Sequence, residues 1–133
     1  MSSKKEFFKL RLKEVGDKVM KEVKYLNIGY DDIISVYDEL GVDCPIRLIM
    51  NRMDGFLQRG WGNGYVMIPE GHQYYGKSYD DIDVSVHGGL TYGSFEDDGK
   101  YWVGFDTSHY GDDLKRWPKS AVFEETMMLF NQI

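Results

Sequence analysis

From Gly55 onward the chain cannot continue as helix. Gly60, Gly62, Gly64, Gly71 and Gly76 fall within one short stretch, with Trp61, Tyr65, Tyr74 and Tyr75 between them and Tyr79 just after. A glycine inside a helix costs about 1 kcal/mol relative to alanine, whereas aromatic side chains favour the pleated surface of a sheet. The composition therefore divides the chain into a helical portion, residues 1–55, and a sheet portion, residues 56–133. At 133 residues there is enough chain for one hydrophobic core and too little for two, so both portions are expected in a single domain.

The first portion reads as two or three helices. Ser3 with Glu6 makes a capping box, and Phe8, Leu12, Val15, Val19, Val23 and Leu26 recur at three- and four-residue steps. Asp31 or Asp32 can cap a short second helix with Ile33, Val36, Tyr37 and Leu40 inward and Gly41 at its end. Pro45 suits the first position of a third, running through Ile46, Ile49, Met50 and Met53.

Beyond Gly55, residues 64–68 read as a strand stopped by Pro69, and residues 70–81 as a polar loop bearing aromatics. Residues 82–86 alternate apolar with polar, the pattern of a half-buried strand. Residues 90–95 and 101–105 flank Asp98-Gly99, a hairpin signal. After a loop over residues 106–118, Ser120 can cap a closing helix with Val122, Met127, Leu129 and Phe130 available for burial. The expectation is an α+β fold: the amino-terminal helices, a small antiparallel sheet of three to four strands, and a carboxy-terminal helix packed on it.

Charge narrows the partners. The net charge is −6, and all of the surplus lies in the second portion: residues 1–55 hold ten Lys or Arg against ten Asp or Glu, and residues 56–133 hold six against twelve. A protein that binds DNA or RNA in bulk gains affinity by neutralising phosphates and needs the opposite sign, so no bulk nucleic-acid partner is expected. The amino terminus lacks the regions of a signal peptide, and no apolar run is long enough to span a bilayer. A cytoplasmic protein with no membrane partner follows. The single Cys44 rules out an internal disulfide.

Most of the side chains that could do chemistry fall in two segments. In Val86-His87-Gly88-Gly89-Leu90-Thr91-Tyr92 a histidine ends an apolar strand, and the glycine pair lets a ligand approach bare backbone whose N–H groups can bind an anion. In the second segment Asp106, His109 and Asp112 stand at three-residue intervals just after a strand. If that loop makes a helical turn, the three share a face, and a carboxylate there can orient an imidazole. A hairpin can bring His87 to the same end of the sheet, where two His with one or two Asp would supply general acid and base groups or hold a divalent metal with open positions. The spacing matches no metal signature, and neither a metal nor a cofactor is assigned.

Trp61, Asn63 and Tyr65, with His72, Tyr75, Lys77 and Tyr79, form a second group. Aromatic faces can stack on a base, Asn can read its edge, and Lys can meet a phosphate. Phosphate-binding loops, dinucleotide fingerprints, nucleophile elbows and His-Glu-x-x-His motifs are all absent.

Across roughly residues 60–113 the chain resembles a group of short, uncharacterised proteins from bacteria and their phages. The resemblance rests on Gly60-Trp61-Gly62-Asn63-Gly64-Tyr65-Val66, on His72 with Tyr75-Gly76-Lys77, on Val86-His87-Gly88-Gly89-Leu90-Thr91-Tyr92, and on Phe105-Asp106 with His109 and Asp112. It implies a phage or prophage setting, in which small proteins often counter host defence. The leading expectation is a protein that binds or sequesters a nucleotide-derived small molecule. Its binding residues are Trp61, Asn63, His72, Tyr75, Lys77, His87, Gly88, Gly89, Thr91, Tyr92, Asp106, His109 and Asp112. One alternative is a hydrolase or phosphodiesterase using His87 and His109 with Asp106. Another is an inhibitor that binds a host defence component. A homodimer is compatible with each.

Overall fold

The computed structural model describes residues 44–52 and 58–133. The first two expected helices lie outside these residues. The third does not survive: Ile46–Met50 is a strand, β1. Helical spacing and strand alternation both fit this short apolar run, and the partner decides between them. Ile46 and Leu48 are buried while Arg47 between them and Ile49 after them are not, which is the two-residue period of a strand, and Met50 at the strand's end has left the core. Pro45 carries no N–H to place in a ladder, yet its carbonyl accepts from Met67 N–H at 2.8 Å, consistent with proline at a strand's start.

The other strands are β2 (Gly62–Ile68), β3 (Tyr92–Phe95) and β4 (Tyr101–Phe105). They make one antiparallel sheet in the order β1-β2-β4-β3. The expected hairpin joins β3 to β4, with Gly99 at φ 77° and the Asp98 carboxylate accepting from Lys100 N–H at 2.9 Å.

Residues 82–86 form no strand. Their alternation is real, since Ile82 is buried and its neighbours are not, but no strand pairs with them, and the polar groups that meet their backbone come from a helix. Ser85 is clamped by the Gln132 side chain, which accepts from its N–H and donates to its carbonyl, both at 2.7 Å. One glutamine amide thus takes the place of a neighbouring strand.

That helix, α1, spans Lys119–Gln132. Pro118 precedes its first turn and no side chain caps it, so Ser120 lies inside the helix rather than at its cap. From α1, Val122, Phe123, Met127, Leu129 and Phe130 are buried, and the sheet supplies Ile46, Leu48, Val66, Ile68, Tyr101, Val103 and Phe105. Burying a side chain of this size contributes about 1.5–3 kcal/mol, so this layer contact holds the fold. A Cβ on Gly64 would lie 2.0 Å from Thr126 Oγ1: the helix crosses the sheet where β2 has no side chain. All these elements belong to one compact unit, Pro45–Ile133. Among the described residues, no helix is long and apolar enough to cross a membrane.

Candidate functional site

Two loops meet beside α1. In the first, Gly89 N–H donates to the Val86 carbonyl at 2.8 Å, closing a turn with Gly88 at φ 69° and Gly89 at φ 79°. The left-handed region is open to glycine at little cost, and it sets His87 at the corner. The second loop leaves β4 at Asp106. Its anchor is Thr107, fully buried, whose hydroxyl donates to the Gly62 carbonyl at 2.7 Å. Asp106 accepts from Ser108 N–H at 3.1 Å, and Asp112 Oδ2 accepts from His109 N–H at 2.9 Å. The three-residue spacing is therefore realised by carboxylate-capped turns rather than by a turn of helix.

Asp112 is the centre of the group. It is 5% exposed, and its carboxylate lies 2.9 and 3.1 Å from His87 Nε2, which donates to it. Burial pushes the Asp112 carboxyl up. Hydrogen bonds from the His87 ring and the His109 backbone, with the charges of the two imidazoles, more than offset this and hold it below the ordinary carboxylate value. Asp112 is therefore ionised at neutral pH.

His109 stands edge-on to His87, with ring centroids 5.5 Å apart. Its Nδ1 is fully enclosed and makes no hydrogen bond, although Asp106 Oδ1 lies at 3.2 Å and Asp112 Oδ2 at 3.4 Å. These oxygens are near enough to attract, but not placed along a hydrogen-bond direction. Gly88 packs against the same ring: a Cβ there would sit 2.5 Å from His109 Cε1.

Two residues that the sequence did not single out complete the surroundings. Trp117 stacks on the His87 ring, centroids 4.1 Å apart, and Glu125 of α1 accepts from His87 N–H at 2.9 Å. Trp61 adjoins through backbone, donating its N–H to the Trp117 carbonyl at 2.8 Å, and the Lys119 ammonium lies 5.5 Å above its ring.

The structure thus brings together His87, Gly88, Asp106, His109 and Asp112, with Trp61 close by. Gly89 belongs to the loop, but its N–H is committed to Val86 and cannot serve an anion. The remaining residues lie elsewhere. Tyr75 stacks on Phe95 and Tyr101, and the Lys77 carbonyl accepts from the Tyr101 hydroxyl. Tyr101 begins β4 and Phe105 ends it, so these groups are separated from Asp106 by the strand's length, about 13 Å. His72 is structural: Nδ1 accepts from Tyr74 N–H and Nε2 donates to the Ile133 carbonyl, both at 3.0 Å. Thr91 extends the ladder, donating its N–H to the Gly104 carbonyl at 2.9 Å.

Asn63 and Tyr92 lie on the sheet face opposite the core, gathered around Tyr65. Asn63 Nδ2 donates to the Tyr65 hydroxyl at 3.4 Å, and Tyr92 meets the Tyr65 ring edge-to-face at 5.4 Å. A separate cleft of about 250 Å³ opens there, lined by Arg47, Ile49, Tyr65, Tyr92, Glu96 and Trp102. The aromatic group therefore does not converge on the histidines.

Comparison of the chain with protein-family models, curated proteins and solved structures finds no match.

Proposed function

We propose that this chain is a hydrolase of phosphoesters, acting on a nucleotide-derived small molecule at the His87, His109 and Asp112 group. The observation that carries this reading is the placement of two imidazoles on one buried, ionised carboxylate, His87 Nε2 at 2.9 Å and His109 Nδ1 at 3.4 Å. A carboxylate that fixes an imidazole also fixes its tautomer and direction. Imidazole is the side chain best suited to proton transfer near neutral pH.

The chemistry needs few groups. As the oxygen of water bonds to phosphorus, its proton passes to a base. As the bond from phosphorus to the leaving oxygen breaks, that oxygen takes a proton. His87, His109 and Asp106 are the groups within reach of such a centre. Lys119, over Trp61, supplies a cation for a phosphate oxygen, and the Trp61 ring a face for a base.

Simple sequestration draws less support. It relied on the glycine N–H pair, Lys77 and the aromatic group acting at one pocket, and these are dispersed. Incubating the protein with linear and cyclic nucleotides, filtering away free ligand, denaturing the protein and analysing both fractions by chromatography and mass separates the two. Cleaved nucleotide supports hydrolysis. A nucleotide retained and released intact supports sequestration instead, and quantitative passage of every nucleotide unchanged contradicts both.

A further inference from the structure

We infer that His87, His109 and Asp112 form a binding site for one divalent cation of the zinc type. One candidate donor atom from each lies within 4.8 Å of the others. A tetrahedral site with zinc–nitrogen bonds near 2.0 Å spaces its donors by about 3.3 Å. Asp112 Oδ2 is 3.1 Å from His87 Nε2 and 3.4 Å from His109 Nδ1, close to that spacing, and the widest separation in the set, at most 4.8 Å, closes when the two rings turn toward each other around the ion.

Two further observations point to a cation. The first is His109 Nδ1, enclosed, without a hydrogen bond, and flanked by carboxylate oxygens at 3.2 and 3.4 Å. A ring nitrogen enclosed with carboxylate oxygens on two sides but bonded to neither is an arrangement that a positive ion seated among the three would complete. The second is the charge count. Asp106, Asp112 and Glu125 surround two imidazoles, and Glu125 is already bonded to His87 N–H. A bare phosphate approaching this group meets carboxylates, so an intervening cation is what lets it bind.

Two imidazoles with one carboxylate suit zinc and neighbouring transition ions better than magnesium, which prefers oxygen donors. Three protein donors leave a position for water. On taking up the ion, His87 would release its Nε2 proton to solvent, with the one remaining ring proton carried on Nδ1 so that the ion meets a neutral imidazole. The role of the cation in turnover rests on the hydrolase reading above; its binding does not. In that role the ion would lower the pKa of a bound water; His87 and His109 would then hold the ion in place of moving protons, and Asp106, outside the set of three donors, would accept the water's proton.

The test is zinc binding by metal-stripped full-length protein, followed by isothermal titration calorimetry and elemental analysis after gel filtration. Cobalt(II) absorption then reports coordination by nitrogen and oxygen. The expected result is one equivalent per chain, weakened at least tenfold in His87→Ala, His109→Ala and His109→Gln and unchanged in His72→Ala. Circular dichroism of the stripped variants separates lost ligation from lost folding, and the cobalt spectrum of the parent stands independently of any variant. No saturable zinc binding by the parent, or binding that survives both His87→Ala and His109→Ala, overturns the site. Stoichiometric binding without hydrolysis upholds the site and counts against the hydrolase reading. Hydrolysis that persists after chelation, in protein free of metal, overturns the cation's role while leaving that reading intact.

Discussion

The Asp112 carboxylate holds the two loops of the centre to each other: it takes the ring proton of His87 at 2.9 Å and the backbone N–H of His109 at 2.9 Å. Residues 25 positions apart are thus joined through one buried acceptor. Asp112→Ala removes that acceptor and strands two donors, one of them backbone. An orphaned buried group costs about 1–3 kcal/mol, and a chemical denaturation curve should show at least this loss. Asp112→Asn keeps the shape and one acceptor oxygen, so it should recover part of the stability and little of the activity.

Gly88 and Gly89 make a matched pair of probes. Both have positive φ, which costs a non-glycine residue about 1–2 kcal/mol. A Cβ on Gly89 meets nothing within 4 Å, whereas one on Gly88 lies 2.5 Å from His109 Cε1. Gly88→Ala should therefore destabilise more than Gly89→Ala in thermal or urea unfolding. Adding His109→Ala should recover the difference between them. Equal costs for the two glycine variants would show that the ring yields freely and is not held as described.

The Gln132 clamp on Ser85 replaces a strand neighbour with one side chain. Gln132→Ala should cost about 1–3 kcal/mol, the value of two net hydrogen bonds. Hydrogen exchange should quicken at the Ser85 amide and stay unchanged at Val103 in the middle of β4.

Tyr101 gives a pH dependence. Burial raises its phenol above the ordinary value near 10, because the folded state disfavours the phenolate. The group's contribution is complete below the unfolded-state pKa and is lost as pH rises through the folded-state pKa. Urea midpoints should fall as pH rises above the tyrosine reference value near 10, in the window that opens there and closes at the raised folded-state pKa. Tyr101→Phe forfeits the hydroxyl's bond to the Lys77 carbonyl at neutral pH, and its gap from the parent should narrow over that window.

How far these features could be read from sequence depended on how local their causes are. The hairpin at Asp98-Gly99, and the meeting of His87 with Asp106, His109 and Asp112, follow from turn chemistry and strand order. Trp117 and Glu125 do not: Glu125 reaches His87 across 38 positions, a distance over which residue spacing carries no information. The strand β1 was hidden because its apolar residues fit helix and strand alike until β2 is placed beside it. The alternation over residues 82–86 marks one-sided burial, which does not require that the segment's backbone pair with a strand. The aromatic residues are rich in local signal and poor in direction, since each pleat sends neighbours to opposite faces.

The most direct test of the central claim is the rate of nucleotide phosphoester hydrolysis by the parent and by His87→Ala and His109→Ala, with unfolding curves recorded in parallel. Turnover by the parent that falls at least about 100-fold in both variants, while each remains folded, is the predicted result. No turnover by the parent, or equal rates in all three proteins, would contradict the claim that these imidazoles form a working centre.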